Sequence, residues 1–199
     1  TYNIHKGFSY FKRRVVIREL RDRLHGLSAD LLFLQEVQGV HDRHAGKFID
    51  WPVKPQHEYI ADSVWQEVVY GKNAVYQHGH HGNAFLSRFP IVTHENMDIS
   101  AHAFESRGLL HCEVKLGPRR PALHCLNVHL GLFERGRQWQ IRALCERIRD
   151  TVPRDAPLII AGDFNDWRHK ANRVLTDTLG VEEVFEAVRG RPARTVPSV

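Results

Sequence analysis

The sequence contains no run of about 18 apolar residues, so it has no candidate membrane-spanning helix of ordinary length. It also lacks a basic segment followed by an apolar stretch, which is the pattern of a secretory signal peptide. The chain begins at Thr1, which leaves an upstream segment open, and on the residues given we expect a cytoplasmic protein. Internal repeats and long linkers rich in Pro, Gly or Ser are absent too, which predicts a single domain over residues 1–199.

Cysteine is scarce. Cys112, Cys125 and Cys145 are an odd number of thiols, and their spacing is not that of a metal site. We therefore expect reduced thiols in a reducing compartment rather than a structural disulfide.

The charge balance is mildly basic. The 28 Lys and Arg residues outnumber the 23 Asp and Glu residues, which gives a formal net charge of +5. A hydrophobic content of 42% with 26% charged residues excludes disorder as the main state. The positive charge favours an anionic partner. Nucleic acid, a phospholipid and a small phosphate ester all satisfy that condition.

The hydrophobic pattern mixes helical and extended periods. Helices are predicted over residues 12–27, 138–149 and 171–179. Strands are predicted over residues 31–37, 83–86, 109–116, 122–130 and 158–161. Residues 38–82 are predicted to be irregular, with one short helix near residues 62–69. Such a mixture of helices, strands and hairpins is typical of an α/β sandwich with a mixed sheet core.

Polar side chains follow several apolar strands at the point where each strand ends. They are Asn3, His5, Glu36, Asn127, His129, Asp163 and Asn165. Strand ends that meet at one edge of a sheet are a common place for a site. Each residue has an ordinary structural explanation when taken singly, such as a turn aspartate or a solvated glutamate. The combination favours a phosphoesterase that uses a divalent metal.

The residue types fit magnesium chemistry. Mg²⁺ prefers oxygen ligands and keeps several waters, so one or two carboxylates suffice. Glu36 is the natural direct ligand and Asp163 the second acidic group. Amide and imidazole donors such as Asn3, Asn165 and His129 can stabilise charge that develops on a phosphate.

Five sequence blocks resemble the endonuclease/exonuclease/phosphatase superfamily, in that family's order and over nearly the whole chain. They are residues 1–7 (Thr-Tyr-Asn-Ile-His-Lys-Gly), 34–37 (Leu-Gln-Glu-Val), 82–91 (Gly-Asn-Ala-Phe-Leu-Ser-Arg-Phe-Pro-Ile), 126–131 (Leu-Asn-Val-His-Leu-Gly) and 162–166 (Gly-Asp-Phe-Asn-Asp). The combination of Leu-Gln-Glu-Val with Gly-Asp-Phe-Asn is quite specific. The chain is most similar to bacterial members that open with Tyr-Asn-Ile-His-Lys-Gly.

The resemblance implies a four-layer α/β/β/α sandwich of two mixed sheets flanked by helices. It also implies hydrolysis of a phosphate-containing substrate with Mg²⁺, for which Mn²⁺ is a possible substitute. Glu36 then binds the metal with Asn3 beside it, and Asp163 orients or activates the attacking water. Asn165 contacts the scissile phosphate, and His129 stabilises the phosphate or protonates the leaving group.

Four further residues are candidates for substrate binding. Arg107 resembles an arginine that some family members direct at phosphate, although a surface ion pair explains it equally well. His81 and Asn83 lead into the Gly-Asn-Ala-Phe-Leu-Ser block and are expected to line the cleft. Asn127 is included because alternation along its strand places it on the same face as His129.

One departure from the family pattern concerns the end of the chain. Family members close with a strand that carries Ser-Asp-His, whereas residues 194–198 resemble only the segment before it. We therefore expect a fragment that is incomplete at both ends. Loss of a catalytic acid or base costs about 10² to 10⁴-fold in rate, so the fragment itself is expected to be impaired.

Several alternatives stay open at the sequence level. A phospholipid or sugar-phosphate hydrolase competes with a nuclease-type phosphodiesterase, and a lipid enzyme needs an exposed apolar patch, which residues 48–70 could contain. An inactive fragment or pseudoenzyme that binds phosphate ligands is a second class. A third is a transition-metal site at His78, His80 and His81.

Overall fold

The computed structural model describes residues 1–9, 14–166 and 170–191. The first sheet contains β1 (Tyr2–Asn3), β2 (Leu31–His41), β3 (Glu67–Tyr76) and β4 (Gly79–Ser87), in the spatial order β1-β2-β4-β3. The second sheet contains β5 (Ile91–Asp98), β6 (Gly108–Val114), β7 (Leu123–His129) and β8 (Leu158–Asp163), in the order β5-β6-β7-β8.

Both sheets are mixed. β1 is parallel to β2 and β7 is parallel to β8, while the remaining neighbours are antiparallel. Within the described residues, six α-helices accompany the sheets. They are α1 (Ile17–Gly26), α2 (Asp42–Lys47), α3 (Gln56–Ala61), α4 (Glu134–Thr151), α5 (Lys170–Leu179) and α6 (Val184–Arg189). Among the described helices, none combines the length and the apolar character needed to cross a bilayer.

Three apolar clusters define the layers. Phe33 and Phe85 of the first sheet meet Leu110 and Cys125 of the second, so one core lies between the sheets. On the outer face of the first sheet, α1 and α3 pack in a second cluster. On the outer face of the second sheet, α4 and α5 pack in a third. The expected α/β/β/α sandwich is confirmed.

The predicted irregular segment at residues 38–82 is wrong in its largest part. β2 continues to His41, and β3 and β4 form a hairpin in which Tyr76 faces Gly79. The helix near residues 62–69 is also wrong, because α3 ends at Ala61 and Asp62 has a φ of 41°. Valines and a tyrosine after Glu67 then favour an extended chain.

The first helix is shorter than predicted. It begins at Ile17, because the residues before it pair in an extended conformation with the chain near Phe8. Residues 12 and 13, and the terminal segment at residues 194–198, lie outside the described residues. The expectation of reduced thiols is confirmed, since the three cysteines are all free and buried.

Candidate functional site

Two carboxylates from different sheets share one amide. The Nδ2 of Asn3 donates hydrogen bonds to Glu36 Oε1 at 3.2 Å and to Asp163 Oδ2 at 3.0 Å. Asn3 ends β1, Glu36 lies in β2 and Asp163 ends β8. The structure therefore brings together three residues that are far apart in the sequence.

An imidazole lies beside the Asp163 carboxylate, and a guanidinium lies beside the imidazole. The Nε2 of His129 is 3.8 Å from Asp163 Oδ2, and Nη1 of Arg107 is 3.2 Å from His129 Nδ1. Arg107 is also 3.5 Å from Glu105, with its Nε next to Glu105 Oε1. Arg107 thus lies next to the site and also pairs with an acidic neighbour. Both hypotheses from the sequence, an arginine directed at phosphate and an arginine in an ion pair, are compatible with this position.

Asn165 contacts the aspartate through its backbone. Its amide N–H donates to Asp163 Oδ1 at 3.2 Å, and its side chain donates to the Leu130 carbonyl at 2.8 Å. Asp163 is therefore held at both oxygens, by Asn165 at one and by Asn3 at the other. Its carboxylate has a fixed orientation.

Lys6 is a member of the cluster that sequence reasoning missed. Its Nζ is 3.9 Å from Glu36 Oε2, where a positive charge offsets part of the local negative charge. The signal was present in the sequence, since Lys6 follows Asn3 in the opening block. A lysine in a short turn was not distinguished there from a solvated surface residue.

Backbone strain concentrates at this cluster. Six non-glycine residues of the described chain have positive φ, and four of them are His5 (47°), Lys6 (57°), Glu36 (52°) and Asn165 (48°). Such conformations cost of order 1–3 kcal/mol each and persist where surrounding contacts enforce them. Glu36 lies where the β2–β4 register shifts, so a bulge re-aims its side chain.

The environment favours an ionised glutamate. Burial alone raises the pKa of Glu36, but the hydrogen bond from Asn3 and the nearby charge of Lys6 outweigh it, so the pKa lies below its ordinary value. Burial, together with the nearby charge of Arg107, lowers the pKa of His129 to about 4 against the opposing effect of Asp163. His129 is therefore a neutral imidazole at neutral pH.

His81 lies within range of the same charges. Burial, together with the positive charges of Lys6 and Arg107, lowers the pKa of His81 to about 4 against the opposing effect of Glu36. Its Nδ1 is buried without a hydrogen-bond partner. This placement agrees with the expectation that His81 faces the cleft, and its contact with substrate stays a prediction.

Asn83 and Asn127 are not in the cleft. Their side chains are 1% and 0% exposed, between the two sheets. The amide of Asn127 donates to the carbonyls of Leu34 and Ala84 and accepts from Gln35, and Asn83 donates to the Gly108 carbonyl. The expectation that these two asparagines bind substrate is corrected, because a substrate cannot reach side chains that are fully buried and hydrogen-bonded.

The acidic pair fits a hard cation better than the histidine-rich segment fits a soft one. Throughout residues 1–9, 14–166 and 170–191, no three His, Cys, Asp or Glu side chains meet as a metal-binding group. The alternative of a site at His78, His80 and His81 therefore has no support. One or two carboxylates suffice for Mg²⁺, which keeps several of its waters.

The chain is similar to curated bacterial relatives along almost its whole length. It is 47% identical over 197 residues to "Uncharacterized protein YbhP" of Escherichia coli (strain K12), which covers 99% of this chain and 78% of that protein. The relative of the same name from Shigella flexneri matches to the same extent.

Solved structures share the fold at low identity. D. rerio TDP2 complexed with a single strand DNA product has a TM-score of 0.63 at 20% identity, covering 92% of this chain and 71% of that one. Sphingomyelinase C from Streptomyces griseocarneus has a TM-score of 0.62 at 16% identity, covering 89% and 68%. ANGEL2, a 2',3'-cyclic phosphatase, has a TM-score of 0.59 at 18% identity, and the match spans 79% of this chain and 45% of ANGEL2.

A sequence profile extends the comparison beyond individual proteins. The profile of the Endonuclease/Exonuclease/phosphatase family matches residues 1–197. With that match over nearly every residue, and with the sandwich of two mixed sheets, the chain belongs to the endonuclease/exonuclease/phosphatase family.

Proposed function

We propose that the protein is a Mg²⁺-dependent phosphoester hydrolase of the phosphodiesterase or nuclease type, in which water attacks phosphate. The observation that carries this proposal is the bridge from Asn3 to the Glu36 and Asp163 carboxylates, with His129 beside them. Carboxylates can hold a divalent metal, and amide and imidazole N–H groups can stabilise the charge that develops on phosphate.

Glu36 is the residue that would hold Mg²⁺, with Asn3 beside it, and Mn²⁺ would substitute. When bound, the ion polarises a phosphoryl oxygen and stabilises the charge that develops there. Glu36 is suited to this role because its lowered pKa keeps it ionised. Lys6 and Arg107 add positive charge at the same place, which favours an anionic ester.

The remaining residues have distinct roles in the proposed reaction. Asp163 accepts a hydrogen bond from the attacking water and orients it, because both carboxylate oxygens are fixed by neighbouring N–H groups. His129 is neutral and donates a hydrogen bond to a phosphate oxygen, supported by the Arg107 charge. Asn165 positions Asp163 through its backbone N–H, and we assign its side chain to contact with the scissile phosphate.

The names of the structural neighbours support the reaction class. They include a single strand DNA product, a sphingomyelinase and a 2',3'-cyclic phosphatase. Three different substrates on one fold support phosphate ester chemistry in general and leave the substrate to be decided by residues around the site.

The test is a panel of phosphomonoesters and phosphodiesters, including bis(p-nitrophenyl) phosphate, DNA and a phospholipid, assayed on the full-length protein with Mg²⁺ and with EDTA. We expect hydrolysis with Mg²⁺ that EDTA abolishes. Asp163→Asn should remove turnover while leaving the fold intact by circular dichroism. Glu113→Gln is the control, because Glu113 lies at the opposite end of β6.

If the protein binds phosphate but hydrolyses no substrate of the panel, with or without Mg²⁺, the result would contradict a hydrolase and indicate a phosphate-binding module. Equal rates in Asp163→Asn and the unmodified protein would contradict the assignment of the site.

A further inference from the structure

Several exposed apolar side chains come from segments that adjoin the candidate site. Ile49, Val53 and Phe104 are fully exposed, which large apolar residues of a folded domain seldom are. Val40, Leu132 and Phe133 are half to three-quarters exposed. These six residues are called the apolar rim below.

The strand directions place the rim at the same edge of the sandwich as the site. Val40 follows Glu36 along β2, and Ile49 and Val53 lie in the connection between α2 and α3. Phe104 comes three residues before Arg107, and Leu132 and Phe133 come shortly after His129. Because β6 and β7 pair with Leu109 opposite Val128, both of these segments leave the second sheet at the edge that holds His129. The rim therefore flanks the site from both sheets.

The rim segments of the second sheet are held in place by buried polar groups. Gln140 accepts a hydrogen bond from the Gly131 N–H at 2.8 Å and donates to Glu105 at 2.9 Å. Arg137 donates to the carbonyl of Leu132 at 2.7 Å. Phe104, Leu132 and Phe133 thus extend into solvent from a fixed scaffold, and their exposure is a property of the fold.

We propose that the apolar rim docks on a phospholipid bilayer and that the site takes its phosphoester from lipid headgroups. This inference rests on the proposed function. Apolar tips inserted below the headgroups would bring Lys6, Arg107 and His129, which lie at the same edge of the sandwich, toward the lipid phosphates. A protein partner seated on the same rim would close the entrance to the site, whereas a bilayer brings the substrate with it.

The composition of the rim also argues against nucleic acid. Single-stranded nucleic acid is bound by aromatic side chains that stack on bases and by a track of Lys and Arg. Phe104 and Phe133 could stack on bases, but the other four rim residues, Val40, Ile49, Val53 and Leu132, are aliphatic and cannot. They gain free energy by leaving water for a hydrocarbon environment, which the bilayer provides.

The test is co-flotation of the full-length protein with vesicles of phosphatidylcholine and phosphatidylglycerol. The rim variant is Val53→Ser with Phe104→Ser, and fully exposed side chains can be replaced without loss of packing. We expect the vesicle partition coefficient to fall at least roughly tenfold, since burial of one Phe or Val in hydrocarbon contributes about that factor.

The matched control is Leu27→Ser with Val92→Ser. These side chains are also exposed, but they lie at the opposite edge, next to the start of β2 and of β5. The control should float like the unmodified protein. Equal partitioning of the rim variant and the control would overturn the proposal, as would failure of the unmodified protein to bind vesicles.

Three parallel measurements distinguish other occupants and the proposed function. Binding of single-stranded DNA that the rim variant loses, without vesicle binding, would overturn the proposal in favour of nucleic acid. A dimer that dissociates in the rim variant, again without vesicle binding, would overturn it in favour of a second copy of the chain. Hydrolysis of a soluble phosphodiester without vesicle binding would overturn the docking surface alone, whereas vesicle binding without any hydrolysis would support the surface and contradict the hydrolase.

Discussion

Replacement of Asn127 by Leu is expected to weaken the link between the two sheets. The Asn127 side chain belongs to β7, yet it donates to the Leu34 carbonyl at 3.1 Å and the Ala84 carbonyl at 2.8 Å, and accepts from Gln35 at 2.7 Å. Each such bond contributes roughly 1 kcal/mol net. Leucine has a similar size and makes none of the three, so the free energy of unfolding should fall by about 3 kcal/mol.

Urea unfolding followed by circular dichroism measures this change. Asn96→Leu is the matched control, because Asn96 also donates two amide hydrogen bonds but is exposed, and we expect a loss below about 1 kcal/mol there. An unchanged unfolding free energy in Asn127→Leu, together with a raised KM, would refute the reasoning and return Asn127 to the substrate-binding residues.

Three further outcomes follow from the same geometry. His129→Gln should lower kcat by about 10² to 10³-fold in the full-length protein without changing its unfolding midpoint, since it removes a donor to phosphate. Gly162→Ala should lower both stability and activity, measured by thermal melting and by phosphodiester turnover, because an added Cβ would overlap the Val128 carbonyl oxygen next to Asp163. Burial lowers the pKa of His111 to about 4, so the folded state binds fewer protons than the unfolded state between about pH 4 and 6.5 and loses stability as the pH falls through that window. His111→Gln should make the unfolding free energy less dependent on pH there, and an unchanged slope would contradict this.

The contrast between Asn127 and His129 shows what a strand pattern can and cannot predict. Alternation predicts that the two side chains share a face, and both are buried on the inner side of β7. Alternation does not say how deep a residue lies. Asn127 lies two residues further from the end of β7 than His129. At that depth the Asn127 amide is fully buried and structural, whereas the His129 imidazole lies next to Asp163.

The β3–β4 hairpin shows a second limit. Residues 67–87 contain glycines, histidines and a lysine where a strand usually carries apolar residues, so the hydrophobic period is weak. Hydrogen bonding between strands stabilises this hairpin despite the weak hydrophobic pattern, because β4 pairs with β2 on one side and with β3 on the other. Such long-range pairing decides the structure here and leaves little trace in any local stretch of sequence.

The sequence predicted that the two carboxylates belong to one site, but it did not predict how they are positioned relative to each other. Glu36 and Asp163 follow apolar strands, which is visible in the sequence. The bulge that turns Glu36 toward Asp163 and the amide of Asn3 that joins them depend on the register of β2 and on the approach of two sheets. Lys6 became recognisable only through its distance to Glu36.

The most direct measurement is the rate of phosphodiester hydrolysis as a function of Mg²⁺ concentration, in the full-length protein and in its Glu36→Gln variant. The carboxylate arrangement predicts a rate that rises with Mg²⁺ and saturates, and that falls at least about tenfold in the variant at every concentration, since even loss of a residue that only supports a metal ligand costs about 10- to 100-fold. Equal rates in the two proteins, or hydrolysis that persists after Mg²⁺ is removed, would contradict the account.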